Sequence, residues 1–459
     1  HLAGAGRHVT VLDRGTGPGG LAVGTQVSGY RFDSGPTVLT MPEFIGEALG
    51  AVGEELGSAL DLVRLDPAYQ ARFADGSTIA VRTDPDAMAE EIAAHCAPGE
   101  VDGYRRLVRV LRSMYQLEAP TFIQRNLDSV ADLPIGRALR LVRMGGLRRW
   151  SSLVAAHLHD ERLQRIFSFQ ALYAGLAPQR ALGSYAVIAY MDCIAGVWYP
   201  RGGMATVPLA LAEAGARHGV EYRYGVDVRE VLVEHGRTTG VRTADGERIA
   251  ADAVIWNADP ATVPGRPAPR RTVGYAPSCV VWRTGTATTT TTEHHTISFG
   301  AAWQQTFDEI IRTGMPMTDP SVLISSPTRT DPALAPPGRH IHYTLFPTPN
   351  RSLAPGLDWS GYRDRMRAVL DSRGLGACVT DPDVQQLSTP DDWAALGLPA
   401  GTPFGPHHGI GQTGPLRTST LDRRVENLVY CGSATQPGVG VPSVLVSGRL
   451  AAQRITGGA

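Results

Sequence analysis

The hydrophobic positions of the chain change their period several times, and each change predicts a change of secondary structure. Near the amino end an apolar run predicts a strand at 8–13, HVTVLD, followed by a glycine-rich turn. From 43 to about 72 the period is mostly helical, and two short strands are then predicted around Asp75 and Gly76. From 84 to about 195 the period is almost entirely helical.

The second half of the chain returns to alternating patterns. A helix at 202–219 precedes strands within 220–259, and two longer strands are predicted in SVLISSPTRTD and HIHYTLFPTPN. A further helix is predicted at 359–374. The chain then closes with a short strand, a turn rich in Gly and Pro, and a helix that begins near Pro442 or Ser443.

These patterns predict an α/β (α+β) fold in which one domain is assembled from three separate segments. The 459 residues are enough for two or three domains. We predict a discontinuous Rossmann-like domain made of 1–83, 200–272 and 405–459, a helical domain at 84–199, and a sheet-containing domain at 273–404.

Composition excludes some partners. The hydrophobic content of 43% and charged content of 19% are typical of a globular protein, and a net charge of -1 gives no general attraction to nucleic acid. We therefore predict no nucleic-acid partner. All 43 basic residues are Arg, because the chain contains no Lys.

The cysteines and histidines indicate neither a disulfide framework nor a metal site. The five Cys are scattered without a Cys-x-x-Cys pair, as expected for reduced, mostly buried thiols in a cytoplasmic protein. His294 and His295 lack further ligands at a suitable spacing, so we predict no metal there and assign the pair to the start of a strand. We find neither a secretory signal nor an apolar run of about 18 residues.

Asp13 is the first candidate binding residue. An acidic residue at the carboxyl end of a strand in a dinucleotide fold can accept hydrogen bonds from the ribose hydroxyls. The glycine fingerprint belongs about 20 residues earlier, so we expect the first strand and the phosphate loop to lie upstream of His1. The glycines of the GPGG turn, Gly19 and Gly20, would let the backbone approach a bulky cofactor closely; an ordinary loop explains them equally well.

The segment CGSATQPGVGVPSVLVSGRLAAQRI, 431–455, is the second candidate. Its glycines and prolines stand directly before a helix, whose amino end carries unpaired N–H groups and a partial positive charge. Aimed at a flavin ring, this end would stabilise the negative charge of the reduced flavin. A tight turn without a ligand explains the same residues.

Taken together, several segments resemble one family, the bacterial-type phytoene desaturases of the flavin amine-oxidase-like superfamily. The resemblance rests on VTVLDRGTGPGG, GYRFDSGPTVLTMP, FSFQALYAGLAP, GVWYPRGGMATVPLALA, ADGERIAADAVIWNADP, HHTISFG, SPTRTDPALAPPG and GSATQPGVGVPSVLVSGRLAAQRI. These segments run from one end of the chain to the other. The similarity is greatest to actinobacterial members, which agrees with the exclusive use of Arg.

The resemblance implies non-covalently bound FAD and the dehydrogenation of a long, lipophilic polyisoprenoid, from phytoene toward lycopene in carotenoid biosynthesis. It makes the discontinuous domain the FAD-binding domain, the sheet domain the substrate-binding domain, and the helical domain a lid that faces the membrane. It implies contacts to FAD from Asp13, Gly19, Gly20, Gly35, Pro36, Thr37, Val228, Gly432, Gln436, Pro437, Gly438, Gly440 and Val441. It identifies no catalytic residue.

The expected chemistry explains why no catalytic residue is needed. The substrate C–H bonds are not acidic, so a hydride leaves toward flavin N5 and a proton is lost from the neighbouring carbon. The protein's part is to hold the polyene over the flavin and exclude water. Two positions depart from the family pattern: Leu21 stands where an Arg is usual, and Gln436 where Thr or His is usual.

A basic, amphipathic stretch at 137–159 predicts attachment to the surface of a membrane. Acidic residues are absent between Leu133 and His159, a pattern typical of a helix lying on an anionic bilayer. We expect a peripheral membrane protein on the cytoplasmic side. The predicted contacts are Arg137, Arg140, Arg143, Arg148, Arg149 and Trp150.

Three other functions on this fold stay open. An amine oxidase is disfavoured, since many of them use a Lys near the flavin and this chain has none. A carotenoid cis–trans isomerase would handle a related substrate. A non-redox isoprenoid-binding protein, resembling Rab GDP-dissociation inhibitors, would have no evident need of the QPGVGVP turn.

Overall fold

The computed structural model describes residues 1–265, 273–288 and 290–457. The ends of two predicted segments, at 266–272 and 458–459, lie outside the described residues. The helices are α1 Glu43–Gly50, α2 Leu56–Ala59, α3 Pro85–His95, α4 Glu100–Glu118, α5 Ile135–Arg143, α6 Trp150–Ala155, α7 Glu161–Ile166, α8 Val187–Tyr190, α9 Thr206–Arg217, α10 Gln304–Asp308, α11 Tyr362–Ser372, α12 Pro390–Ala395 and α13 Val441–Thr456.

The strands are short except for two of nine residues. They are β1 Thr10–Asp13, β2 Gly24–Val27, β3 Tyr30–Asp33, β4 Leu62–Arg64, β5 Tyr69–Arg72, β6 Thr78–Val81, β7 Trp198–Pro200, β8 Glu221–Tyr224, β9 Val228–Glu234, β10 Arg237–Thr243, β11 Arg248–Ala250, β12 Val254–Trp256, β13 Ser278–Thr286, β14 His295–Ser298, β15 Val322–Ser325, β16 His340–Thr348, β17 Val384–Ser388 and β18 Leu428–Tyr430. The mixture of helices and strands confirms the predicted fold class.

The largest sheet has seven strands in the order β17-β13-β16-β15-β14-β5-β6. The long strands β13 and β16 pair antiparallel over their full length, and β14 pairs parallel with β5. One face carries Trp282, Ile324 and Phe346, which pack with Tyr362 and Met366 of α11 in a buried apolar cluster. A helix therefore covers the sheet on this face, and all nine residues of β13 are buried.

Segments from the start, the middle and the end of the chain pair with one another. Strand β1 pairs parallel with β8, so Asp13 lies opposite Tyr224, and β12 pairs parallel with β18. Strands β9, β10 and β11 form a separate antiparallel sheet. These pairings agree with a discontinuous domain, although its boundaries stay a prediction.

The region from 43 to 83 differs from its prediction in two ways. Helical structure ends at Ala59 instead of near residue 72, because β4 pairs with β7 and β5 with β14. The two strands predicted around Asp75 and Gly76 are present as β5 and β6. They extend the seven-stranded sheet, whereas our division had grouped them with the cofactor-binding segments.

The basic stretch is two helices rather than one. Helix α5 ends at Arg143, and α6 begins at Trp150 after a turn that contains Gly145 with a φ of 93°. Trp150 is 0% exposed, and its Nε1 donates to the carbonyl of Phe167 at 2.9 Å. Predicting Trp150 as a membrane contact was therefore wrong, because its ring is a core side chain.

Two expectations about the rest of the chain can also be compared. Cys96 is partly buried, and the other four cysteines are buried; all five are free thiols, as expected. In the part of the chain that the structure describes, every helix is too short or too polar to span a bilayer.

Candidate functional site

Asp13 and Val228 lie at one end of the candidate site. The Asp13 carbonyl accepts from the Val226 N–H at 3.0 Å, and Val228 packs beside Leu12 on a buried apolar cluster. Asp13 Oδ1 accepts from the Gly15 N–H at 2.6 Å. The structure thus brings together Asp13 and Val228, two of the predicted FAD contacts.

The turn with Gly19 and Gly20 packs against the segment that contains Gly35. A Cβ atom at Gly35 would lie 2.0 Å from the Leu21 carbonyl oxygen, so glycine is required there by the protein's own backbone. The Gly35 carbonyl also accepts from the Tyr343 hydroxyl at 3.0 Å. A Cβ at Gly20 would meet open space, which leaves this side of the turn free for a ligand.

Residues 33–37 carry buried polar groups. Asp33 accepts from the Tyr199 hydroxyl and the Met204 N–H, both at 2.8 Å, and burial raises the pKa of Asp33 to about 6. Ser34 Oγ is buried and without a hydrogen-bond partner in the described chain. Pro36 is half-buried and Thr37 is buried. This hydroxyl, next to the predicted FAD contacts Gly35, Pro36 and Thr37, is available to hydrogen-bond a ligand.

The turn from Gly432 to Gly440 leads into α13. The Gly432 N–H donates to Ser447 Oγ at 3.0 Å, which ties the turn to its own helix. A Cβ at Gly438 would lie 2.2 Å from the His408 ring, so a side chain is excluded there. Gly440, with a φ of 107°, precedes Val441, and space beside its Cα is open.

Helix α13 begins at Val441, within two residues of the prediction. The residue before it is Gly440, and the helix has no side-chain cap. Its amino end therefore keeps the unpaired N–H groups and partial positive charge that a negatively charged ring would complement.

Gln436 holds the middle of the turn. Its buried amide donates to the carbonyls of Leu127 at 2.6 Å and Gly414 at 3.0 Å, and accepts from the Leu127 N–H at 3.1 Å. Gln436 thereby connects the turn to the helical region, 309 residues away in sequence. Gln436, which stands where Thr or His is usual in the family, therefore has a structural role in this chain.

Arg417 is a site residue that sequence reasoning missed. It is buried and donates to the carbonyls of Thr435 at 2.8 Å and Ser433 at 2.7 Å, within the same turn. Burial lowers the pKa of Arg417 to about 10, so the guanidinium stays protonated at neutral pH. A lone Arg in a loop of Gly, Pro and Thr gives no periodic signal that distinguishes it from a solvated one.

His408 was missed for the same reason. It is buried against Gly438, and its Nδ1 lies 3.1 Å from the Tyr185 hydroxyl. Burial lowers the pKa of His408 well below its usual range and raises the pKa of Tyr185 to about 12. Both side chains are therefore neutral near pH 7, and Arg417 supplies the positive charge beside the turn.

These features fit FAD. The uncapped amino end of α13, the protonated Arg417 and the orphaned Ser34 hydroxyl would each complement an anionic, hydrogen-bonding ligand. Met41 and Phe44 pack against Val446 and Leu450 of α13, which connects the segment after Thr37 to the carboxyl-terminal helix.

Comparison with known proteins agrees with this geometry. A family model for flavin containing amine oxidoreductases matches residues 1–456. The phytoene dehydrogenase of Streptomyces griseus is 48% identical over 100% of this chain and 92% of its own. The zeta-carotene-forming phytoene desaturase of Myxococcus xanthus is 34% identical over 99% of this chain and 90% of its own.

A solved structure supports the fold. The cyclohexylamine oxidase from Brevibacterium oxydans IH-35A has a TM-score of 0.58 and 14% identity, covering 99% of this chain and 96% of that one. At this identity the likeness shows the fold alone. The full-length matches in sequence decide the family: the chain belongs to the flavin containing amine oxidoreductases and, among them, to the phytoene desaturases.

Proposed function

We propose that this chain is an FAD-dependent desaturase that dehydrogenates a phytoene-like polyisoprenoid in carotenoid biosynthesis. The observation that carries the proposal is the 48% identity to a phytoene dehydrogenase along the whole chain. The electropositive turn before α13 supports it, because the reaction needs an acceptor for hydride rather than a base alone.

The chain's own residues would hold and insulate the reacting centre. When bound, FAD supplies the hydride acceptor. Gln436 and Arg417 fix the carbonyls and amides of the turn, and the apolar side chains of Met41, Phe44 and Val446 exclude water beside α13. Asp13 and Val228 are proposed to bind the adenosine end.

The reaction is tested with the full-length protein, FAD and phytoene in liposomes. New visible absorption bands with the fine structure of a longer conjugated chain are expected, and a yellow protein that bleaches on reduction. An isomerase would change the band shape without lengthening the conjugation. A colourless protein that only retains phytoene would favour the isoprenoid-binding alternative.

We also propose that α5 lies on the membrane surface. Ile135, Leu139 and Val142 are 76%, 52% and 43% exposed and share one face of the helix; we call them the outward stripe. Arg143 flanks this stripe, Arg140 and Arg137 lie farther round the helix, and Arg148 and Arg149 follow it. Such a pairing of exposed apolar and basic residues is typical of interfacial helices.

Replacing the stripe tests this placement. The double variant Ile135→Ser and Leu139→Ser is expected to lose binding to neutral liposomes in a flotation assay. The matched control replaces Leu209 and Leu396, which are exposed elsewhere, with Ser. Equal loss in both variants would contradict the placement of α5 on the bilayer.

A further inference from the structure

A cleft between α4 and the end of α5 shares no residue with the candidate site. Its volume is about 450 Å³, and it opens to solvent on the side of the helical region. It is lined by Arg106, Arg109, Val110, Ser113, Arg140, Met144 and His157. Three of these seven side chains are guanidinium groups, and none is acidic.

The three guanidinium groups are uncompensated. Arg106, Arg109 and Arg140 are exposed, and within the described residues none of them forms an ion pair or donates a side-chain hydrogen bond. Asp102 stands one turn before Arg106 on α4 and makes no ion pair with it. Exposed arginines elsewhere do form ion pairs with carboxylates, as Arg237 does with Glu426 at 3.1 Å. The cleft therefore concentrates positive charge.

The neighbouring groups add donors without cancelling that charge. Burial lowers the pKa of His157, helped by the positive charges of Arg106 and Arg148, so the imidazole is neutral at pH 7. Ser113 contributes a hydroxyl to the lining. Several N–H groups around a small opening suit the oxygens of a phosphate group, which guanidinium forks bind in pairs.

The position of the cleft favours a lipid headgroup over a soluble ester as the source of the phosphate. Arg140 lines the cleft and belongs to α5, the helix that also carries the outward stripe, and Leu147, 64% exposed, follows this helix. A soluble phosphate ester would use the cleft alone, whereas an anionic lipid would bring its phosphate to the cleft of a helix that also presents apolar side chains to the bilayer.

We propose that this cleft binds the phosphate group of an anionic phospholipid, an inference that rests on the proposed membrane attachment of α5. The headgroup then orients the helical region on the bilayer, where a polyisoprenoid is dissolved. Attachment through the stripe gives affinity for any bilayer, and the cleft adds selectivity for anionic lipid.

Vesicle flotation of the full-length protein tests the inference. Vesicles of phosphatidylcholine are compared with vesicles that also contain phosphatidylglycerol, at equal size and salt. The variant Arg106→Gln, Arg109→Gln and Arg140→Gln is expected to bind the anionic vesicles roughly 10- to 100-fold more weakly. Its affinity for neutral vesicles should change little.

A control variant removes the same charge elsewhere. Arg329, Arg363 and Arg424 are exposed, lie outside the helical region and are replaced by Gln together. Equal weakening in both variants, or equal binding of the unchanged protein to both kinds of vesicle, would overturn the cleft as a headgroup site. The second of these results leaves attachment by the stripe intact.

A soluble ligand is tested in the same series. Inorganic phosphate at millimolar concentration should not compete with anionic vesicles at constant ionic strength; competition that lowers binding of anionic vesicles to the level of neutral ones would assign the cleft to a soluble phosphate and overturn the lipid. Flotation requires no turnover, so it does not test the desaturase function. The phytoene assay tests that function separately. Absence of binding to any vesicle would refute both the headgroup site and membrane attachment.

Discussion

Replacement of Gln436 by Ala separates the stability of the candidate site from its affinity for FAD. The amide of Gln436 makes three hydrogen bonds, two to Leu127 and one to Gly414, all at 3.1 Å or less. Alanine removes all three and leaves both peptide groups of the buried Leu127 without these partners.

The size of the effect follows from these contacts. A net hydrogen bond contributes about 1 kcal/mol to folding, and a buried peptide group left unpaired costs about 1–3 kcal/mol. Because water can enter the space that the amide vacates, we expect a loss of about 3 kcal/mol in the free energy of unfolding. The turn should also lose its fixed distance to the helical region.

Gln412 offers a matched control. Its amide also makes three hydrogen bonds, accepting from the Gly274 N–H at 2.7 Å and donating to the carbonyls of Gly274 at 2.8 Å and His407 at 3.0 Å. Gln412→Ala should therefore lose similar stability. Since these partners lie outside the turn before α13, its effect on FAD affinity should be smaller.

Denaturant unfolding of the apoprotein measures stability, and quenching of flavin fluorescence measures the dissociation constant of FAD. Gln436→Ala should weaken FAD binding about tenfold, equivalent to about 1.4 kcal/mol. Two results would contradict this reasoning: FAD binding to Gln436→Ala as tightly as to the unchanged protein, or equal weakening by Gln412→Ala. Either would show that the contacts of Gln436 do not position a turn that binds FAD.

Three further substitutions test the interior. Burial raises the pKa of Asp33 to about 6, above that of an exposed carboxyl group, so its stabilising contribution is present at low pH and lost as the pH rises through this pKa. Asp33→Asn should flatten this loss, about 2–3 kcal/mol in urea unfolding between about pH 4 and pH 7; an unchanged profile would contradict it. Trp150→Ala should cost about 3–5 kcal/mol in the same assay, against about 0.5 kcal/mol or less for exposed Leu147→Ala. Gly35→Ala places Cβ against the backbone and should destabilise by about 3 kcal/mol, more than Gly20→Ala, where only the positive φ is strained; equal costs would refute the packing argument.

Local patterns predicted the elements whose hydrophobic period is regular. The start of α13, the helix α11 and the strands β5 and β6 all lie close to their predicted positions, because periodicity and turn residues act within a few positions of one another. Beyond Ala59 the prediction of helical structure was wrong. Pairing of β4 with β7, from a segment more than 130 residues later, overrides the local pattern there.

The candidate site was predictable where glycine or acid stands next to a strand. Asp13 and the turn before α13 belong to that class. Arg417 and His408 do not, because what makes them site residues is burial against a turn that folds from a different part of the chain. Trp150 shows the opposite error: a ring in a basic stretch suggests a surface, and only the packing around it reveals a core residue.

The helical region and the turn before α13 form one connected structure. Arg137 of α5 donates to Thr121 Oγ1 at 2.7 Å, and Thr121 stands six residues before Leu127, the partner of Gln436. The turn lacks a regular hydrogen-bond ladder of its own, so its shape depends on such distant partners. A membrane contact made by α5 would therefore act on the same helical region whose Leu127 binds Gln436 of the turn.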